Sequence, residues 1–277
     1  MAMTITAAPP AAGVAGLLRR HPVTAFAVGA IVPTWAVQFF FLAMGWELFP
    51  AFLIELLLLL GSAVLVTARL EGRPGVRRLF AGAVQWRFGL GRFAVVLFAM
   101  PVLTMLVAAV SGSLRVPAGG WGKEILGYLF LTLIFGAVLG NVWEETAWAG
   151  FAQRRLMERH GLLVGSLLTA IPFALIHLPL AFESDGLGGT SGRDLAITWT
   201  ALILAAPFFR YLFGTIMVDT AAVGGTGSVL AVAILHAACN ASQQLGAVHG
   251  QWQWFVALPL LTLLVLAYRK LRGRSAV

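Results

Sequence analysis

Residues 124–152 read EILGYLFLTLIFGAVLGNVWEETAWAGFA, and this stretch decides what kind of protein the chain is, because two adjacent glutamates, Glu144 and Glu145, stand inside a run that is otherwise apolar until Arg154. A helix needs about 20 apolar residues to cross the ~30 Å hydrocarbon layer of a bilayer. An ionisable side chain within that layer costs roughly 2.5–3.5 kcal/mol even on the mild insertion scale, so each one needs a partner, a water-filled cavity or a chemical task. Adjacent helical residues diverge by ~100°, so the two carboxylates point differently, one toward a cavity and the other toward a neighbouring helix or an arginine. Counted back from Arg154 at ~1.5 Å per residue, Glu144 falls near the midplane.

The rest of the chain has the same character. Of 277 residues, 60% are hydrophobic and 11% are charged, less than half the ~25% charge of a soluble domain. Low charge with 11% aromatic residues excludes a disordered chain, and one cysteine, Cys239, excludes a disulfide scaffold. Cys239 itself reads as a small buried apolar residue. The expectation is an all-α polytopic membrane protein with about eight transmembrane helices, over 23–45, 48–68, 93–112, 124–152, 162–182, 195–217, 227–247 and 252–269. No internal repeat or boundary divides it. Residues 1–15 read as a disordered leader and 16–277 as one transmembrane domain with its core at about 120–247.

A net charge of +8 would suggest nucleic acid in a soluble protein, but here the cations cluster between apolar runs and report topology, so no nucleic-acid partner is expected. Arg19, Arg20, Arg69, Arg73, Arg77, Arg78, Arg87, Arg92, Arg154, Arg155, Arg159, Arg269, Lys270, Arg272 and Arg274 fall on one side, and Arg115, Lys123 and Arg193 on the other. The positive-inside rule then puts both termini in the cytoplasm of a multi-pass cell-membrane protein. Segment 74–92, with Val76, Phe80, Val84 and Phe88 at helical spacing among arginines, reads as an amphipathic helix on the cytoplasmic face.

Within the spans the remaining acids and histidines are few: Glu55, His177 and His236. His236 and Asn240 stand at i and i+4, on one helix face, at a depth matching Glu144. His177 comes out several ångströms deeper from the arginine side, a gap that ordinary tilt closes. Glu55 is placed in the outer third of its span without assigned chemistry. Arg210, near the inner end of the sixth span, is expected to snorkel to the cytoplasm rather than to counter Glu145.

Glu144-Glu145, Phe173 with His177, and His236 with Asn240 together resemble the three signature motifs of the CPBP family, the intramembrane proteases similar to the CAAX prenyl endoprotease. The resemblance implies an intramembrane glutamic protease, a peptide hydrolase working in a cavity open to the cytoplasm on a peptide or protein substrate, with or without a lipid. Glu144, assisted by His177, would activate water; His236 and Asn240 would stabilise the oxyanion; Glu145 completes the catalytic set; Phe173 would fix the His177 rotamer. One departure concerns Glu145: the family pattern has an arginine four residues after it, and this chain has Ala149. No cofactor is expected. The alternatives are a zinc-dependent intramembrane protease using the same Glu and His residues, and a catalytically silent scaffold or immunity factor, which Ala149 favours. A proton-coupled transporter would need paired broken helices in two halves, and the sequence lacks that symmetry.

Overall fold

The computed structural model describes residues 14–273, so most of the expected leader, and Arg274, lie outside the described residues. The architecture is helical: α1 (Val14–Arg20), α2 (Pro22–Ala43), α3 (Phe49–Ala81), α4 (Leu90–Val110), a continuous run over 120–153 termed α5, then α6 (Arg154–Ile176), α7 (Gly192–Gly224), α8 (Val229–Ser242) and α9 (Trp252–Leu271). A short 3-10 turn, Leu178–Phe182, and a single helical turn, Gly186–Gly189, link α6 to α7. Among the described residues, six helical runs are long and apolar enough to cross a membrane, which makes this a multi-pass membrane protein.

The expected eight crossings differ from these six runs for two physical reasons. The run Gly120–Phe182 is 63 residues long, and it reverses at Gly161, whose φ of 77° and ψ of 173° lie outside the helical region. Beyond that reversal Gly165 packs onto the backbone of Leu156 and Met157 so closely that a Cβ would sit 2.5 Å from the Met157 nitrogen. One run therefore accounts for two expected spans. The other difference is α8, with only 14 residues, about 21 Å of rise against a ~30 Å layer.

The amphipathic helix expected over 74–92 is shorter than its pattern. α3 bends at Gly72 (φ 65°) and remains helical only to Ala81. The next residues turn, leaving Val84 exposed and Phe88 buried. Gly89, at φ 92°, starts the chain into α4.

The bundle has two distinct ends. One is tied by Glu71 accepting from both Arg78 and Arg155, by Gln85 with Thr226, and by Arg269 with Asp219. This is the arginine-rich end. At the opposite end Leu114 bridges to Val248 and Arg115 donates to the Gly246 carbonyl.

α8 runs through the middle of the bundle, where nearly every residue from Val229 to Cys239 is buried. Its approach to α5 is set by Gly136, where a Cβ would lie 2.6 Å from the Ala237 Cβ. Small residues let membrane helices meet at the backbone, where dispersion replaces the missing hydrophobic drive. Gly136→Ala is expected to lower the thermal unfolding midpoint of the detergent-solubilised protein, by overpacking worth about 1–3 kcal/mol. Gly127→Ala, on the same run but with nothing within 4 Å of its Cβ position, should leave that midpoint unchanged or raise it.

Candidate active site

α5 delivers both glutamates. Its winding passes from a π-type stretch (Phe130–Asn141) through one and a half α turns (Val142–Ala147) to a second π-type stretch (Trp148–Gln153), a winding that recurs at functional sites. Every residue from Glu144 to Gln153 is buried. The carboxylates diverge as adjacent helical positions must, and each finds different company.

Glu145 is fully buried and faces α7 and α8. Arg210 Nη1 donates to both its oxygens at 3.0 Å, and Nη2 donates to Oε2 at 3.1 Å. The same guanidinium donates to Gln153 Oε1 from Nε at 3.0 Å and from Nη2 at 2.5 Å. Gln153 in turn donates to the Arg210 carbonyl and to Ser166. Phe173 and Phe213 present ring faces to the guanidinium carbon at 4.9 and 5.1 Å. Arg210 does not snorkel: it is 0% exposed, because this set satisfies its donors inside the bundle. Ala149 is buried apolar packing, so the guanidinium that holds Glu145 comes from α7 rather than from α5.

His236 Nδ1 donates to Glu145 Oε1 at 2.9 Å. Its ring is enclosed by Phe173, Phe209 and Phe213, at centroid distances of 6.1, 5.8 and 5.2 Å. With the proton on Nδ1, the neutral ring keeps a lone pair on Nε2.

Glu144 looks the other way. Its Oε2 accepts from Asn141 Nδ2 at 3.2 Å and lies 3.9 Å from His236 Nδ1. Its Oε1 is buried without a hydrogen-bond partner and stands 3.8 Å from His177 Nε2. His177 caps the C-terminal end of α6, and its Nδ1 donates to the Phe173 carbonyl at 2.6 Å. That bond puts a proton on Nδ1, so that in the neutral form of the ring Nε2 faces Glu144 as an acceptor. The depth gap expected between His177 and Glu144 is closed. Phe173 also packs against the His177 ring at 4.7 Å.

The structure thus brings Glu144, Glu145, His177 and His236 together. Asn240 is not joined to them by a hydrogen bond among the described residues; it stands exposed one turn beyond His236 on the same helix face. Glu55, given no chemistry from sequence, is buried, accepts from Gln38 Nε2 at 2.7 Å and interacts electrostatically with Glu144. Asn141 and Gln153 were not singled out by the sequence reading. Asn141 had a usable signal, its i, i+3 relation to Glu144; Gln153 had none, since its partner comes from α7. His21, His160 and His249 are exposed, and Cys239 is buried.

Residues 126–242 are similar to the Rce1-like proteins. That segment matches the family model described as type II CAAX prenyl endopeptidase Rce1-like, and it contains both glutamates, both site histidines, Asn240 and Arg210. The Rce1-like family supports a peptide hydrolase in general. No curated protein and no solved structure matches the chain significantly.

Breaking a buried pair from one side costs about 3–5 kcal/mol, whereas removing both charges is often neutral. Arg210→Ala should accordingly lower stability to chemical unfolding by that amount, and Arg210→Met combined with Glu145→Leu should recover most of it. Arg159→Ala, at an exposed site, is expected to change stability by no more than about 0.5 kcal/mol.

Proposed function

We propose that this chain is an intramembrane endopeptidase that hydrolyses a peptide bond with water activated between Glu144 and His177. The carrying observation is the pair of acceptors facing each other: the unpartnered Glu144 Oε1 and the His177 Nε2, 3.8 Å apart. A water beside both would donate one proton to each and direct an oxygen lone pair at the scissile carbonyl. Glu144 takes a proton as the oxygen attacks and returns it to the leaving amine. Asn141 holds the other carboxylate oxygen and so fixes the rotamer.

The oxyanion falls to His236 and Asn240. Asn240 donates in every protonation state, and one such donor is worth about 2.7–4 kcal/mol in known sites. His236 donates from Nε2 only as the imidazolium, since Nδ1 is committed to Glu145. Glu145 and Arg210 act on the reaction through His236, by fixing the ring. Ala149, the feature that favours a silent scaffold, carries less weight beside Arg210, which supplies a guanidinium to Glu145 from another helix.

The second reading is a zinc-dependent protease, and one observation favours it: Glu144, Glu145 and His236 offer ligand atoms all within 4.8 Å of one another. The set fits a divalent cation poorly, because Arg210 already occupies both oxygens of Glu145 with a positive charge and His236 Nδ1 carries a proton toward it. We place the protein in the cell membrane, with both termini cytoplasmic by the distribution of its arginines.

Purified protein incubated with a peptide library that includes prenylated C-terminal cysteines should yield cleaved products by mass spectrometry. Glu144→Gln should abolish them while leaving the unfolding midpoint in place. A strong chelator should leave the rate unchanged. Full turnover in Glu144→Gln would remove the mechanism, and chelator-sensitive turnover would move the assignment to zinc.

A further inference from the structure

Two cavities open at the arginine-rich end of the bundle, and they differ in how their charges are met. One is lined by Arg78 and Arg154 beside Met157 and Met217. Both of its arginines are paired, Arg78 with Glu71 and Arg154 with Glu158. The other, of about 360 Å³, lies where α1, α2 and α6 meet. Arg20, His21, Arg155 and Arg159 line it together with the first turn of α2.

Arg155 is the fixed member of that set. Its side chain is 15% exposed. Glu71 accepts from its Nη2, the Phe151 carbonyl accepts from its Nη1 at 3.1 Å, and the Phe151 ring centre lies 4.0 Å from its guanidinium carbon. Arg159 follows four residues later on α6, on the same face, where like charges repel. Arg20 brings a third guanidinium from α1. Glu158, the acid in the cavity wall, is paired to Arg154. Among the described residues, Arg20 and Arg159 make no ion pair within the protein. Three cations from two elements therefore converge on one cavity with less than matching negative charge.

The backbone adds to this field. The first N–H groups of a helix lack intrahelical partners and carry the positive end of its dipole. His21, at the N-cap of α2, makes no side-chain cap bond, and Pro22 has no N–H. The Ala25 N–H donates to the His21 carbonyl, which leaves the N–H groups of Val23 and Thr24, both residues of the cavity wall. Guanidinium forks and helix N-termini share one preferred ligand, a phosphate. α2 is long and apolar enough to cross the membrane and starts at Pro22, so the cavity lies at the edge of the hydrocarbon layer, where lipid phosphates stand.

We propose that this cavity binds the phosphate of an acidic phospholipid headgroup, with Arg20 and Arg159 donating to its oxygens and Arg155 as the fixed charge behind them. Under the positive-inside rule the lipid belongs to the cytoplasmic leaflet, which carries the anionic headgroups. The assignment is independent of the endopeptidase reading.

The test uses the full-length protein in a neutral detergent, with the unfolding midpoint followed as the micelles are doped with phosphatidic acid or phosphatidylcholine, or as inorganic phosphate is added. A ligand of the folded state raises the midpoint in proportion to its affinity. Phosphatidic acid should raise it and phosphatidylcholine should not. Arg20→Gln with Arg159→Gln, both at exposed positions, should start from the same midpoint and need at least about tenfold more phosphatidic acid for the same rise. Arg159→Gln alone should act in the same direction by a smaller factor. Arg73→Gln with Arg77→Gln removes equal charge from exposed positions outside the cavity and should keep the full response. An equal loss in both double variants would reduce the effect to net surface charge and overturn the site. No rise with phosphatidic acid overturns it as well. A rise with inorganic phosphate as large as that with the lipid at equal concentration would overturn the lipid assignment.

Discussion

The ion pair between Arg210 and Glu145 is the constraint on which the rest of the site depends. A guanidinium in hydrocarbon is tolerable only when its donors are met, and here a carboxylate, an amide oxygen and two aromatic faces meet them. Meeting them fixes geometry. α7 is held to α5 at a set height, Glu145 is held in one rotamer, and Glu145 then aims the imidazole of His236. Planar, bidentate recognition is what arginine supplies and lysine does not. The pair also sets neighbouring carboxylates apart: Glu145 is neutralised by Arg210, while Glu144 keeps an oxygen without a hydrogen-bond partner.

Close packing does the rest. Without a hydrophobic force between helices in lipid, backbone approach must come from small residues, and glycines stand where it is closest: Gly136 against α8, Gly165 at the reversal, Gly214 against Gln153. The consequence for α8 is a central, buried helix whose His236 is presented to Glu145 from a nearly rigid wall.

Much of this was legible in the amino-acid order. Membrane character follows from composition, and the site emerges from a census of ionisable groups that lipid would reject unless they were used. The parts that escaped depend on pairing across helices. Arg210 resembled a snorkelling residue because its position near a span end is all that one helix reveals; its partner belongs to α5. Gln153 is an unremarkable amide until Arg210 is placed beside it. Glu55 needed Gln38 from α2. The 74–92 pattern kept helical periodicity past Ala81, because recurrence at helical spacing does not record the turn that the chain takes over 82–84.

His177 has one more implication. The imidazole that faces Glu144 is also the group that finishes a helix, since its ring proton occupies a carbonyl of the final turn. Helix termination and the approach to Glu144 are thus written into one side chain. Any attempt to silence it by truncation frays the end of α6 at the same stroke. Separating those two effects calls for a side chain that still donates to the Phe173 carbonyl but offers no basic nitrogen beyond it.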